Sequence, residues 1–139
     1  MRKLTENLQE LSDHIAGTEN KVAAAEQGSK EKIEVSIKHS KEAAKARQES
    51  FKNNIRQTNA AMASHWEELQ DDYNQKIQQI KNKMETEKEA RELKKAMKRA
   101  DEAESCAETS IMFVDLAIDE AEIAILEAID ARAYAEMLE

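Results

Sequence analysis

The chain is predicted to be all-α: a long-helix coiled coil that folds as a helical hairpin and assembles into an oligomeric bundle. Three observations predict this. No proline and only two glycines, Gly17 and Gly28, occur in 139 residues, so the strongest local breakers of regular structure are nearly missing. Charged residues make up 36% of the chain and aromatics 4%, against about a quarter charged in ordinary proteins. That is the composition of long helices with solvated faces. Apolar and small residues also recur three and four apart from the start: Leu4, Leu8, Leu11, Ile15, Thr18 and Val22 mark an a/d seam of period 3.5.

The seam slips and resumes. Ile33, Ile37, Ser40 and Ala44 carry it in a shifted frame, followed by Phe51, Ile55, Thr58, Met62, His65 and Leu69. Leu69, Tyr73 and Ile77 then follow at steps of four, before Ile80, Met84 and Glu87. Successive four-residue steps are stutters that locally unwind a left-handed supercoil. Between Val22 and Phe51 the expected core positions include Ala25, Ser29, Ser40 and Ala44. Such small or polar residues pack loosely, so this stretch is expected to be helical but the least stable. Gly17 and Gly28 are expected as tolerated mid-helix glycines, each costing about 1 kcal/mol relative to Ala. The alternative for them is a hinge or a frayed boundary.

A fold-back is expected near Asn82 to Glu89, giving a charged coiled-coil helix over residues 1–84 and a second helix over 85–139. An uninterrupted rod, which would span about 209 Å, and a three-helix bundle are the alternatives. Thr86 with Glu89, Ser64 with Glu67 and Ser105 with Glu108 fit the capping-box pattern of helix starts, though each also fits inside a continuous helix. Asn53, Asn54 and Asn59 are further weak points, because Asn is a poor helix former.

The C-terminal segment differs in kind. On a helix at about 100° per residue, Ala117, Ala121, Ala124, Ala128, Ala131 and Ala135 line one stripe. Ile111, Val114, Ile118, Ile125 and Ile129 line its neighbour, and Met112, Leu116, Ile123, Leu126 and Tyr134 lie largely across from them. Polar positions are confined mainly to Glu108, Asp115, Asp119, Glu122 and Asp130. A helix apolar on several faces is normally buried by more than one neighbour, so this segment reads as an assembly core. The residues expected to line the oligomer core are Leu4, Leu8, Leu11, Ile15, Phe51, Ile55, Leu69, Ile77, Ile80, Ile111, Val114, Ile118, Ala121, Ile125 and Ile129.

Charge divides the chain. Its formal net charge is −8, but residues 1–100 hold 20 basic and 17 acidic residues and residues 101–139 hold 1 and 12. A net +3 thus stands against a net −11. Such asymmetry suggests two different surfaces and can set the register of an assembly.

Chemistry-bearing groups are few. Asp115, Asp119 and Glu122 share a helix face, but a di-metal bundle needs Glu-x-x-His motifs on two helices and none occurs. A solvated acidic stripe is expected, with a weak hard-cation site as the sharper alternative. His65, beside Trp66, is expected to set register at a core position, a pH-sensitive seam being the alternative. Trp66 is expected to pack the stalk. Cys106 cannot form an intrachain disulfide, and the acids Glu104 and Glu108 beside it argue against a reactive thiol. The run Arg91 to Arg99 places five cations in nine residues. With acids flanking it on both sides it reads as a solvated face rather than a phosphate-binding patch, docking on an acidic partner being the sharper reading. No glycine-rich phosphate loop, Ser/His/Asp set or paired-Cys zinc motif is found.

No apolar leader opens the chain, and no stretch of 18 uncharged apolar residues suits a membrane span. A soluble, cytoplasmic and, from its brevity, bacterial protein is expected, with no enzymatic activity and no cofactor. The chain resembles generic coiled-coil proteins. Residues 19–50 (ENKVAAAEQGSKEKIEVSIKHSKEAAKARQES) are similar to the Lys/Glu/Ala-rich repeats of helical stress-protection proteins; neither likeness contains a specific motif. The leading functional expectation is a structural scaffold or tether. Its partners would be a second copy, as homodimer or homotetramer, and an unidentified protein, with no nucleic acid and no membrane. An amphipathic-helix or stress-protection coat on a lipid or granule surface comes second, and a metal-binding helical bundle third.

Overall fold

The computed structural model describes residues 3–57, 59–85 and 92–139. These residues form four α-helices and no strand: α1 (Leu4–Glu26), α2 (Lys30–Ile55), α3 (Ala60–Glu85) and α4 (Leu93–Met137). The all-α prediction therefore holds. The expected single helix over 1–84 does not: two short breaks divide it, at residues 27–29 and after Ile55.

The first break is made by Ser29. Its backbone is extended (φ −71°, ψ 161°), and its side-chain oxygen accepts a hydrogen bond from the Lys32 amide at 3.3 Å. This is an N-cap, which satisfies an amide that the helix start leaves without an intrahelical partner. Glu31 in the first turn and Lys52 in the last complement the helix dipole. Upstream, α1 closes with the amides of Gln27 and Gly28 donating to the carbonyls of Ala24 and Ala25. Ser29 is thus a cap and not the seam residue expected. Gly28 marks a boundary and not a mid-helix position, although its φ is not positive.

The second break follows the Asn-rich stretch. The Arg56 and Gln57 amides donate back to the carbonyls of Lys52 and Asn54. Asn59 then opens α3: its side-chain oxygen accepts from the Ala61 amide at 2.9 Å. Asn competes with the helical backbone by such local bonds, which is why it favours helix ends. Ser64 and Ser105 lie inside α3 and α4, so their capping-box patterns mark no helix start. Thr86, and the second half of the fold-back expected over Asn82 to Glu89, lie outside the described residues.

The chain divides into two units within α3, one up to Asp72 and one from Tyr73 on. In the first unit, α1 and α2 touch across the Ser29 turn. Phe51 of α2 meets Trp66 of α3 edge-on, with ring centroids 6.5 Å apart and planes at 90°. Gln70 donates to the Gln48 carbonyl at 3.4 Å, and Arg56 pairs with Glu67 at 3.5 Å. The two buried apolar residues among the described ones, Ile55 (5% exposed) and Ala63 (9%), lie here. In the second unit Tyr73 stacks on Phe113 of α4, centroids 5.7 Å apart and planes at 22°.

Along α3 the least exposed side chains are Ala63, Glu67, Gln70, Asn74 and Ile77. Their spacing is an unbroken four-three-four-three. This phase differs from that of Leu69, Tyr73 and Ile77, of which Ile77 alone is half-buried. The break between α2 and α3 resets that phase, and Met62, His65 and Leu69 are exposed.

Candidate interaction surface

Most of the large apolar side chains of this chain face outward. On α1, Leu8, Leu11 and Ile15 form an open apolar patch with Ser12 and Ala16. They lie on one face because their spacing keeps pace with the helical period. Leu4 at the start of that stripe is half-buried. Phe51 is held by Trp66 and Ile55 is buried, while Leu69 is 58% exposed. Ile77 is half-buried and Ile80 exposed.

α4 carries the broadest apolar surface. Ile111, Met112, Phe113 and Val114 are consecutive and all exposed, the first at 66%. Four consecutive residues at about 100° each encircle a helix, so no single flat neighbour can cover them. Leu116, Ile118, Ala121 and Ile129 are exposed too, and Ile125 is half-buried. The Ala stripe identified in the sequence lies wholly in α4. Thr109 and Ser110 donate side-chain bonds to the carbonyls of Ser105 and Cys106, which ties off polar groups inside this long helix. Cys106 is half-buried.

A second feature, not anticipated from the sequence, is a groove of about 580 Å³ between α1 and α2. Its floor is apolar and small: Val22, Ala25, Ile33, Ile37 and Ala44, with Ser36 and Ser40. These are largely the residues read as a weak seam. Ala and Ser at the facing positions leave the space between the two helices unfilled. Lys21, Lys41 and Arg47 line it together with His14, and no Asp or Glu does among the described residues. A signal for it existed in the run of small residues at core positions. The basic rim was invisible until the Ser29 turn brought Lys21 and Arg47 to one opening.

Among the described residues, no group of three His, Cys, Asp or Glu side chains is arranged to hold a metal ion. Asp115, Asp119 and Glu122 line up on α4 and remain exposed. Of the basic run, Arg91 lies outside the described residues and the rest opens α4, where Lys98 pairs with Glu102 at 3.8 Å. No described helix is long and apolar enough to cross a membrane. No protein-family model, no curated protein and no solved structure matches this chain.

Proposed function

We propose that this protein is a homo-oligomeric helical scaffold, a coiled-coil tether that works by presenting helix faces to copies of itself and to a protein partner. One observation carries the reading: a chain that is 40% hydrophobic buries only Ile55 and Ala63 among its described residues.

The oligomer core is assigned to the outward apolar positions of α1 and α4, led by Leu8, Leu11, Ile15, Ile111, Val114, Ile118 and Ile129. The encircling apolar run of α4 favours a bundle over a two-stranded seam, since several neighbours are needed to cover it. A coat on anionic lipid requires Lys and Arg on the polar face, and α4 has acids there instead.

Small-angle scattering with in-line mass determination tests the reading. A dimer or tetramer at micromolar concentration is the expected result. A helical monomer that persists as concentration rises, or a disordered one, overturns it.

A further inference from the structure

We infer that the groove between α1 and α2 is the receptor for the acidic apolar face of α4 from a second copy of the chain. The inference rests on the homo-oligomer reading and specifies its contact. Three properties of the groove select its occupant. It has an apolar floor, so it takes an apolar ridge. It is open along one side and lined by two helices, which suits a third helix laid into it. Lys21, Lys41 and Arg47 line it with no acid opposing them, although both helices carry acids elsewhere. The occupant should therefore be an amphipathic helix whose apolar ridge is flanked by carboxylates.

The chain itself contains such a helix. On α4, Ile111, Ile118 and Ile129 fall within about 60° of Asp115 around the axis, and Asp119 and Glu122 share that face. The residues from 101 onward carry a net charge of −11. All of these isoleucines and acids are exposed. The axial spacings agree as well: Lys41 to Arg47 rises about 9 Å along α2, and Asp115 to Glu122 about 10 Å along α4. Opposite charges at matched spacing fix register and disfavour wrong partners. Like-charged α4 helices would repel if packed face to face, and pairing each with a basic groove relieves this. Because groove and ridge are different surfaces, the contact is heterologous, closing into a ring or propagating into a filament according to its rotation.

Charge exchange tests the inference. The triple variant Lys21→Glu, Lys41→Glu, Arg47→Glu should self-associate at least about tenfold more weakly, since three rim pairs become repulsive. Asp115→Lys, Asp119→Lys, Glu122→Lys should do the same. An equimolar mixture of the two should recover assembly, because each groove then meets an α4 of opposite charge. If the unmodified chain is monomeric, the scaffold reading falls and this contact with it. If the unmodified chain assembles but the groove variant assembles equally well, the contact alone is overturned. Should a variant lose helicity, carbodiimide cross-linking of unmodified chains, mixed as heavy- and normal-isotope copies, decides. Mixed-isotope links from Lys21 or Lys41 to Asp115, Asp119 or Glu122 are expected. Same-isotope links only, or none at these residues, overturn it.

Discussion

Ile55 is buried at the last position of α2, and Phe51, one helical turn before it, meets Trp66 of α3 edge-on. Few other side chains in the first unit lose water so completely, so much of the local stability passes through it. Ile55→Ala should therefore cost about 2–4 kcal/mol in urea unfolding of the chain. Leu69, although assigned to the same seam from the sequence, is mostly exposed. At the same chain concentration, Leu69→Ala should cost well under half as much as Ile55→Ala in urea unfolding. Equal losses for the two substitutions would contradict the burial pattern. Ser29 acts through one hydrogen bond to the Lys32 amide. Ser29→Ala should reduce stability by about 1 kcal/mol, read by thermal melting of the helical circular dichroism signal, with Ser29→Asp recovering it.

At the scale of elements, helix identity was legible and helix boundaries were only partly so. A second helix was expected over residues 85–139, its Ala, Ile and Leu stripes lying in the C-terminal part, and α4 runs from Leu93 to Met137. The apolar spacing of three and four and the charge-rich, breaker-poor composition predicted helices alone, and no strand occurs among the described residues. The turn at Ser29 escaped notice for a physical reason. Ser29 stands four residues after Ala25, so it also fits a seam, and Lys32 at the third position cannot complete a capping box. The Asn residues around position 56 did signal weakness, but nothing in their spacing said how the turn would reset the phase of α3. The candidate surface was legible as residue types on α1 and α4; the groove was not, because it exists only once α1 and α2 are brought together. Gly17 shows what the helix tolerates. It lies inside α1, and a Cβ added there meets nothing within 4 Å. Gly17→Ala should raise helix stability by about 1 kcal/mol, measured as an increase in urea midpoint; a decrease would mean that a flexible α1 contributes to the fold.

At the scale of the whole molecule, the question is where an outward-facing apolar surface goes. A single chain has too few buried side chains to offset the ordering of its backbone, which costs about 1–2 kcal/mol per residue. Helices of this length also draw most of their stability from packing rather than propensity. On the proposed scaffold reading, folding and association are one equilibrium, and mass action makes stability depend on chain concentration. The size of the effect can be set in advance. A hundredfold rise in concentration contributes about 2.7 kcal/mol to the associated state. Unfolding two chains of 139 residues carries an entropy of about 0.6 kcal/mol/K, so a dimer should gain about 5 °C in Tm between 1 and 100 μM. Raising the salt concentration should lower the Tm at each chain concentration if the contact is built on the basic groove and acidic α4, since exposed charge pairs are screened. A Tm that does not move with concentration would mean that each chain closes its own apolar surface, and the scaffold reading would have to be abandoned.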